Sequence, residues 1–268
     1  MDNLHRTLAP VSSPAWDQIA EEASRTFRAR IAGRRVVDVP DAAGPTMAAV
    51  GTGHVSPVDP PIDPPVDGVR AQCRDVVRLV ELRVPFTVTR AAVDDVERGA
   101  QDSDWQPVKD AAERLATAED RIVFTGAAGM TGIVPASSNE KVALPAEVQE
   151  LPAAIAHAVT TLRIAGVSGP YALLLSSELY TEAAESVDHG YPVISHLERI
   201  VGDDGTIVFA PALTGALLVS LRGGDYTLQV GQDVSIGYLS HDDETVTLYL
   251  QESLAFLAHT AEASVVIR

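Results

Sequence analysis

A single cysteine, Cys73, is all the thiol chemistry in this chain of 268 residues. No intrachain disulfide can form, and one thiol cannot build a cysteine-based zinc site. Basic residues are also few. Lys and Arg number 20 against 37 Asp and Glu, giving a formal net charge of −17. Nucleic-acid binding needs clustered cations to replace counterions, so this balance argues against a nucleic-acid partner. It suits assemblies that repel one another and stay dispersed. No apolar run approaches the ~18 residues that cross a bilayer, which argues against a membrane partner. Met1 to Pro10 has neither the basic start nor the apolar core of a signal peptide, so the expected location is the cytoplasm. The sequence holds no GxSxG elbow and no HExxH pair. Its seven histidines are scattered, with only His189 and His196 close together, at a spacing poor for one helical face. No metal, no cofactor and no enzymatic activity are expected.

What the chain does have is hydrophobic side chains, 46% of the total. A soluble chain this apolar commonly buries some of that surface against other chains, which points to an oligomer. Trp16, Ile19, Ala23, Phe27 and Ile31 recur at helical spacing behind a Ser13–Pro14 start, with acids early and arginines late. That stripe either packs on a core or lines a groove for a peptide. Met47 to Val55 and Val69 to Val88 read as extended strands. Between them, Ser56 to Asp67 carries five prolines, which fit neither ladder nor helix and predict a stiff loop tip. Two strands ending in such a tip resemble an arm, and an isolated hairpin is marginal in water, so it should lie on a neighbour.

Ser103 or Asp104 can cap a helix to about Arg121, with Val108, Ala112, Leu115 and Ile122 on one face. A helix over 151–165, a strand over 171–175, a Ser176-capped helix to Glu185 and a helix through Ile200 follow. The last third alternates as strands over 206–209, 216–221, 226–230, 234–238 and 245–250. Asp94-Asp95 and Asp242-Asp243-Glu244 read as solvated turns. The class is α+β with no internal repeat.

Two fragments imitate catalytic motifs. Gly126-Ala-Ala-Gly129-Met-Thr-Gly132 is spaced like a dinucleotide loop, but the segment before it reads as a helix running out and Ile133-Val134-Pro135 is a poor helix start after it. Ser138-Asn-Glu-Lys141 has the serine–lysine spacing without its companion motifs and reads as a polar turn.

Arg222 to Tyr238, Leu248 to Glu252 and Thr260 to Ala263 closely resemble the C-terminal signature of encapsulin shell proteins. Leu8-Ala-Pro10, Ile31 to Arg35, Val37-Asp38-Val39, Arg83 to Phe86, Asp95 to Gly99, Asp102 to Trp105, Gly169 to Tyr171 and His189 to Pro192 extend the resemblance along nearly the whole chain. It implies the tailed-phage major capsid protein fold. The corresponding units are a discontinuous peripheral domain (1–45, 85–135 and 206–268), an extended loop (46–84) and an axial domain (136–205). It also implies an icosahedral homo-oligomer enclosing a cargo enzyme, commonly a dye-decolorising peroxidase or a ferritin-like protein, held by a C-terminal targeting peptide. The peptide groove carries over to Phe27, Ile31, Arg34, Asp38, Val230 and Ile236. The loop Asp188, His189, Gly190 and Tyr191 corresponds to the family's five-fold pore, or is a turn at a subunit contact. A prophage-type capsid protein of the same fold is the alternative; the short segment before Pro14 leaves no room for a scaffolding extension. A secreted protease or bacteriocin, a label some relatives have borne, finds neither leader nor nucleophile here.

Overall fold

The computed structural model describes residues 3–63 and 65–268. Met1 and Asp2, at the start of the expected peripheral domain, and Pro64, in the proline-rich tip, lie outside the described residues. The first helix, α1 (Ser13–Arg30), is capped one residue earlier than the sequence suggests: the Ser12 hydroxyl accepts from the Ala15 amide at 3.4 Å, which places Pro14 inside the first turn. Next come β1 (Ala49–Pro57) and β2 (Gln72–Arg78), which among the described residues pair only with each other. The single strand expected over 69–88 is therefore two. At Leu79, whose amide makes a last bond to the Ala48 carbonyl at 3.0 Å, the arm's pairing ends, and β3 (Val80–Thr89) joins a different sheet. Val55, Ile62, Val66, Val69 and Val76 are exposed along this arm.

The acidic pair Asp94-Asp95 lies in a helix, α2 (Arg90–Glu97), rather than a turn. Thr89 caps it, and Val93 and Val96 anchor its apolar side. The long helix α3 (Gln106–Thr125) follows, with Asp104 accepting from the Gln106 amide. The glycine-rich segment then forms a small hairpin, β4 (Gly126–Ala127) with β5 (Met130–Thr131). A short helix does begin after it, α4 (Ile133–Ala136), yet a helix and not a strand precedes the glycines. The nucleotide loop is therefore absent for a topological reason. Gly126 and Gly132 pass within van der Waals distance of each other's backbone, leaving no room for a Cβ at either.

Helix α5 (Leu151–Ile164), β6 (Tyr171–Leu175), α6 (Ser177–Glu185), the hairpin β7 (Val187–Asp188) and β8 (Tyr191–Pro192), α7 (Val193–Val201) and β9 (Thr206–Phe209) fill the centre. The chain ends with β10 (Ala216–Ser220), β11 (Tyr226–Val230), β12 (Ser235–His241), β13 (Thr245–Ala258) and β14 (Ser264–Ile267). Strand β13 runs well past the expected Leu250, because its two halves serve different neighbours: β12 pairs the first and β11 the second, while β3 covers the opposite edge.

The second sheet has the order β14–β10–β6–β9. Its strands are buried on both faces, and side-chain alternation sends Leu173, Leu175 and Leu218 into one core under α5–α7. Ala172, Leu174 and Leu217 enter another core, between the two sheets. A third core lies where α1, α2 and α3 pack on Phe86, Val88, Val246, Leu248 and Leu250. That layer positions the candidate site.

Candidate docking groove

Helix α1 runs beside the outer edge of β12, and the gap between them is a groove of about 600 Å³. Phe27, Ile31, Arg34 and Ile236 line it together, joined by Ala20, Ala23, Arg28, Asp233 and Val234. Leu4 and Arg6 close one end: the Leu4 carbonyl accepts from the Tyr238 amide at 2.8 Å, which ties the N-terminal segment to the strand edge. Phe27, Ile31 and Ile236 also belong to the core beneath, so the groove floor and the core share residues.

Asp38 and Val230 are placed elsewhere. The Asp38 carboxylate accepts from the Gly224 amide at 2.6 Å, and its main chain bridges Tyr226 and Leu228, so it clasps the turn before β11. Val230 is buried at the end of β11, in the core between the sheets.

Arg34 stands over the Phe27 ring, 5.0 Å from its centroid. Its guanidinium is nearly saturated by acids. Nε and Nη2 donate to Glu119 at 2.8 and 2.7 Å, Nη2 also donates to Glu252 at 3.0 Å, and Nη1 donates to Asp233 at 2.9 Å. A five-donor fork used this fully has little left for a guest. Glu119 and Glu252 are fully buried, and the second oxygen of Glu252, Oε1, has no hydrogen-bond partner among the described residues. Burial, then the neighbouring Glu119, holds the Glu252 carboxyl well above the ordinary range, while Arg34 pulls it down. Asp120, next on α3, accepts the Ala32 and Gly33 amides, with 2.7 Å to Gly33. Burial nevertheless pushes its pKa up to about 7.

The sequence carries a signal for these acids that no motif displays. Glu119 continues the stripe Val108, Ala112, Leu115, Ile122 at spacing three and four, and Glu252 continues the inward alternation Val246, Leu248, Leu250. A charge on a core-facing position marks a buried network.

The other expected site is a hairpin tip. His189 and Gly190, with φ of 47° and 86°, are the two central residues of the turn, a conformation that favours glycine at the second. Asp188 and Tyr191 pair across it. The His189 ring is exposed, with Nε2 3.7 Å from the Asp188 carboxylate. Tyr191 meets His196 edge-on, and the Asp188 carbonyl lies 3.3 Å from His196 Nε2, which braces the hairpin on α7.

A family model described as "Encapsulating protein for peroxidase" matches residues 1–255. The chain is 55% identical over 267 residues to the type 1 encapsulin shell protein of Rhodococcus erythropolis, covering 99% of both chains. The chain belongs to the encapsulin family. An encapsulin shell protein of Mycobacterium tuberculosis is 54% identical, over 100% of this chain and 99% of that one. Such relatives are named as shell proteins and not as enzymes. Among solved structures, a virus-like particle from Pyrococcus furiosus has a TM-score of 0.65 at 16% identity, over 94% of this chain and 99% of that chain. The capsid protein fold thus holds for this encapsulin. The protein of Mycobacterium phage Ogopogo shares the fold only, with a TM-score of 0.58 at 14% identity over 89% of this chain and 92% of that chain. The prophage-capsid alternative is disfavoured by that contrast in identity. Among the described residues no helix is long and apolar enough to cross a membrane.

Proposed function

We propose that this chain assembles with copies of itself into a closed icosahedral shell in the cytoplasm and encloses a cargo enzyme. The cargo is a dye-decolorising peroxidase or a ferritin-like protein whose C-terminal targeting peptide seats in the groove between α1 and β12. The observation that carries this reading is the groove itself: Phe27, Ile31 and Ile236, buried residues of the core beneath, form its apolar lining with Ala20, Ala23 and Val234. An extended segment with small aliphatic side chains fits such a surface. Arg34 serves mainly to hold the groove floor together, given its acid partners.

In the same reading, residues 1–45, 85–135 and 206–268 are the peripheral domain, 46–84 the extended loop and 136–205 the axial domain. The exposed valines of the β1–β2 arm support its lying on a neighbouring subunit, since such apolar surface is otherwise left in water. The hairpin 187–192 lines a pore at the five-fold vertex, where symmetry repeats Asp188 and His189 into a ring that passes small ions and substrates.

The groove is tested with Phe27→Asp, which places a charge on its floor. Shells should still form and should lose co-expressed tail-bearing peroxidase; unchanged loading would remove the groove from the account.

A further inference from the structure

We infer that the groove holds its guest segment as an added β-strand, hydrogen-bonded to the main chain of Ile236 on the outer edge of β12. This rests on the docking reading above and specifies how the guest is held. Within an antiparallel strand, the N–H and C=O of one residue point to the same side and those of the next point to the other. Tyr238 donates outward, to the Leu4 carbonyl at 2.8 Å. Register is unbroken from Ser235 to Tyr238, so Ile236 faces outward as well. The partner strand agrees. Ser253 donates to the Gln232 carbonyl at 2.9 Å and accepts from the Gly231 amide at 2.8 Å, so Ser253 and, two residues back, Gln251 face the β11–β12 side. Gln251 is in register with Ser235, which makes that the bonded pair and leaves Ile236 and Leu250 unbonded to each other.

Ile236 therefore presents a main-chain donor and acceptor toward the groove that its side chain lines. Among the described residues no loop or side chain bonds to either group. Neighbouring outward amides are already used: Val234 donates to the Asp233 carboxylate at 2.8 Å, and Tyr238 to Leu4. Leu4, in a turn of the N-terminal segment, already accepts a bond from this edge at Tyr238, and the chain then turns away at His5, whose φ is 52°. A guest strand continues the same pairing toward the groove. Across the gap α1 offers Ala20 and Ala23, whose small side chains let a third backbone approach. Strand addition fixes the recognition pattern: anchors at every second guest residue facing the Phe27–Ile31 floor, instead of the helical spacing of three and four.

The test uses assembled shells co-expressed with a dye-decolorising peroxidase carrying its own targeting tail, or the same peroxidase with the tail removed. Hydrogen exchange resolved at single amides should slow at least about tenfold at Ile236 with the tail-bearing guest only. A loaded shell in which Ile236 exchanges as it does in the empty one overturns the added strand. Two variants give a second readout. Ile236→Ala and Ile236→Pro both shorten the side chain, but only proline removes the outward N–H, a substitution an edge position tolerates. The proline shell should capture about fivefold less guest than the alanine shell at sub-saturating guest, the worth of one hydrogen bond. Equal capture also overturns the proposal. If Phe27→Asp leaves loading intact, the docking reading itself fails and the added strand falls with it.

Discussion

Replacing Arg34 with methionine keeps most of its side-chain length and removes the cation between Glu119 and Glu252. Both acids are fully buried, and the guanidinium lies 2.7 and 3.0 Å from them. Removing one member of a buried ion network costs about 3–5 kcal/mol, because the remaining charge has no compensation. Here part of the loss can be avoided, since a carboxyl can hold a proton in place of an ion partner. The Glu252 carboxyl is already held above its ordinary range by burial and Glu119. A carboxyl whose pKa is raised on folding contributes stability that is present below the unfolded value, about 4.3, and lost as pH rises through the folded value. Arg34 is the group that pulls Glu252 down, so without it the folded value climbs and the loss extends further up in pH. The variant should therefore be less stable than wild type by about 3 kcal/mol near pH 8 and by about 1 kcal/mol near pH 5. Urea unfolding at matched subunit concentration measures this without adding salt, and matching is needed because assembly makes stability concentration-dependent. A gap below about 1 kcal/mol at both pH values would refute the reasoning.

Asp120→Asn should flatten the pH dependence of stability between the ordinary aspartate range and about 7. Over that window the wild-type carboxylate, raised by burial, loses stability as it ionises; an unchanged slope in urea unfolding across the window would contradict this assignment. His189→Ala should leave shells intact and change small-ion flux or enclosed-enzyme kinetics measured between pH 5 and 8, because it removes the exposed ring at the hairpin tip. Identical kinetics across that range would count against the hairpin as a pore.

The sequence displays most of the central and C-terminal elements. The apolar run Tyr171 to Leu175, the Ser176 cap and the Gly166 stop each announce themselves locally, and each lies where local chemistry put it. Failures occur where a long-range partner decides. Leu79 divides one extended segment into arm and sheet because β13 has an open edge for β3. Strand β14, Ser264 to Ile267, is too short to read as a strand from its own sequence, and its pairing with β10 makes it one. In the groove, helical period picks out Phe27 and Ile31 and the family resemblance adds Arg34, but only tertiary contact reveals that three acids claim Arg34. Asp38 looked equally available to a guest, and an amide at Gly224, far along the chain, occupies it instead.

Electron microscopy of the purified protein tests the central claim most directly. The account predicts closed hollow particles of uniform size, each built from many copies of this one chain and filled when tail-bearing peroxidase is co-expressed. A small monomer or dimer with no closed particles would contradict it.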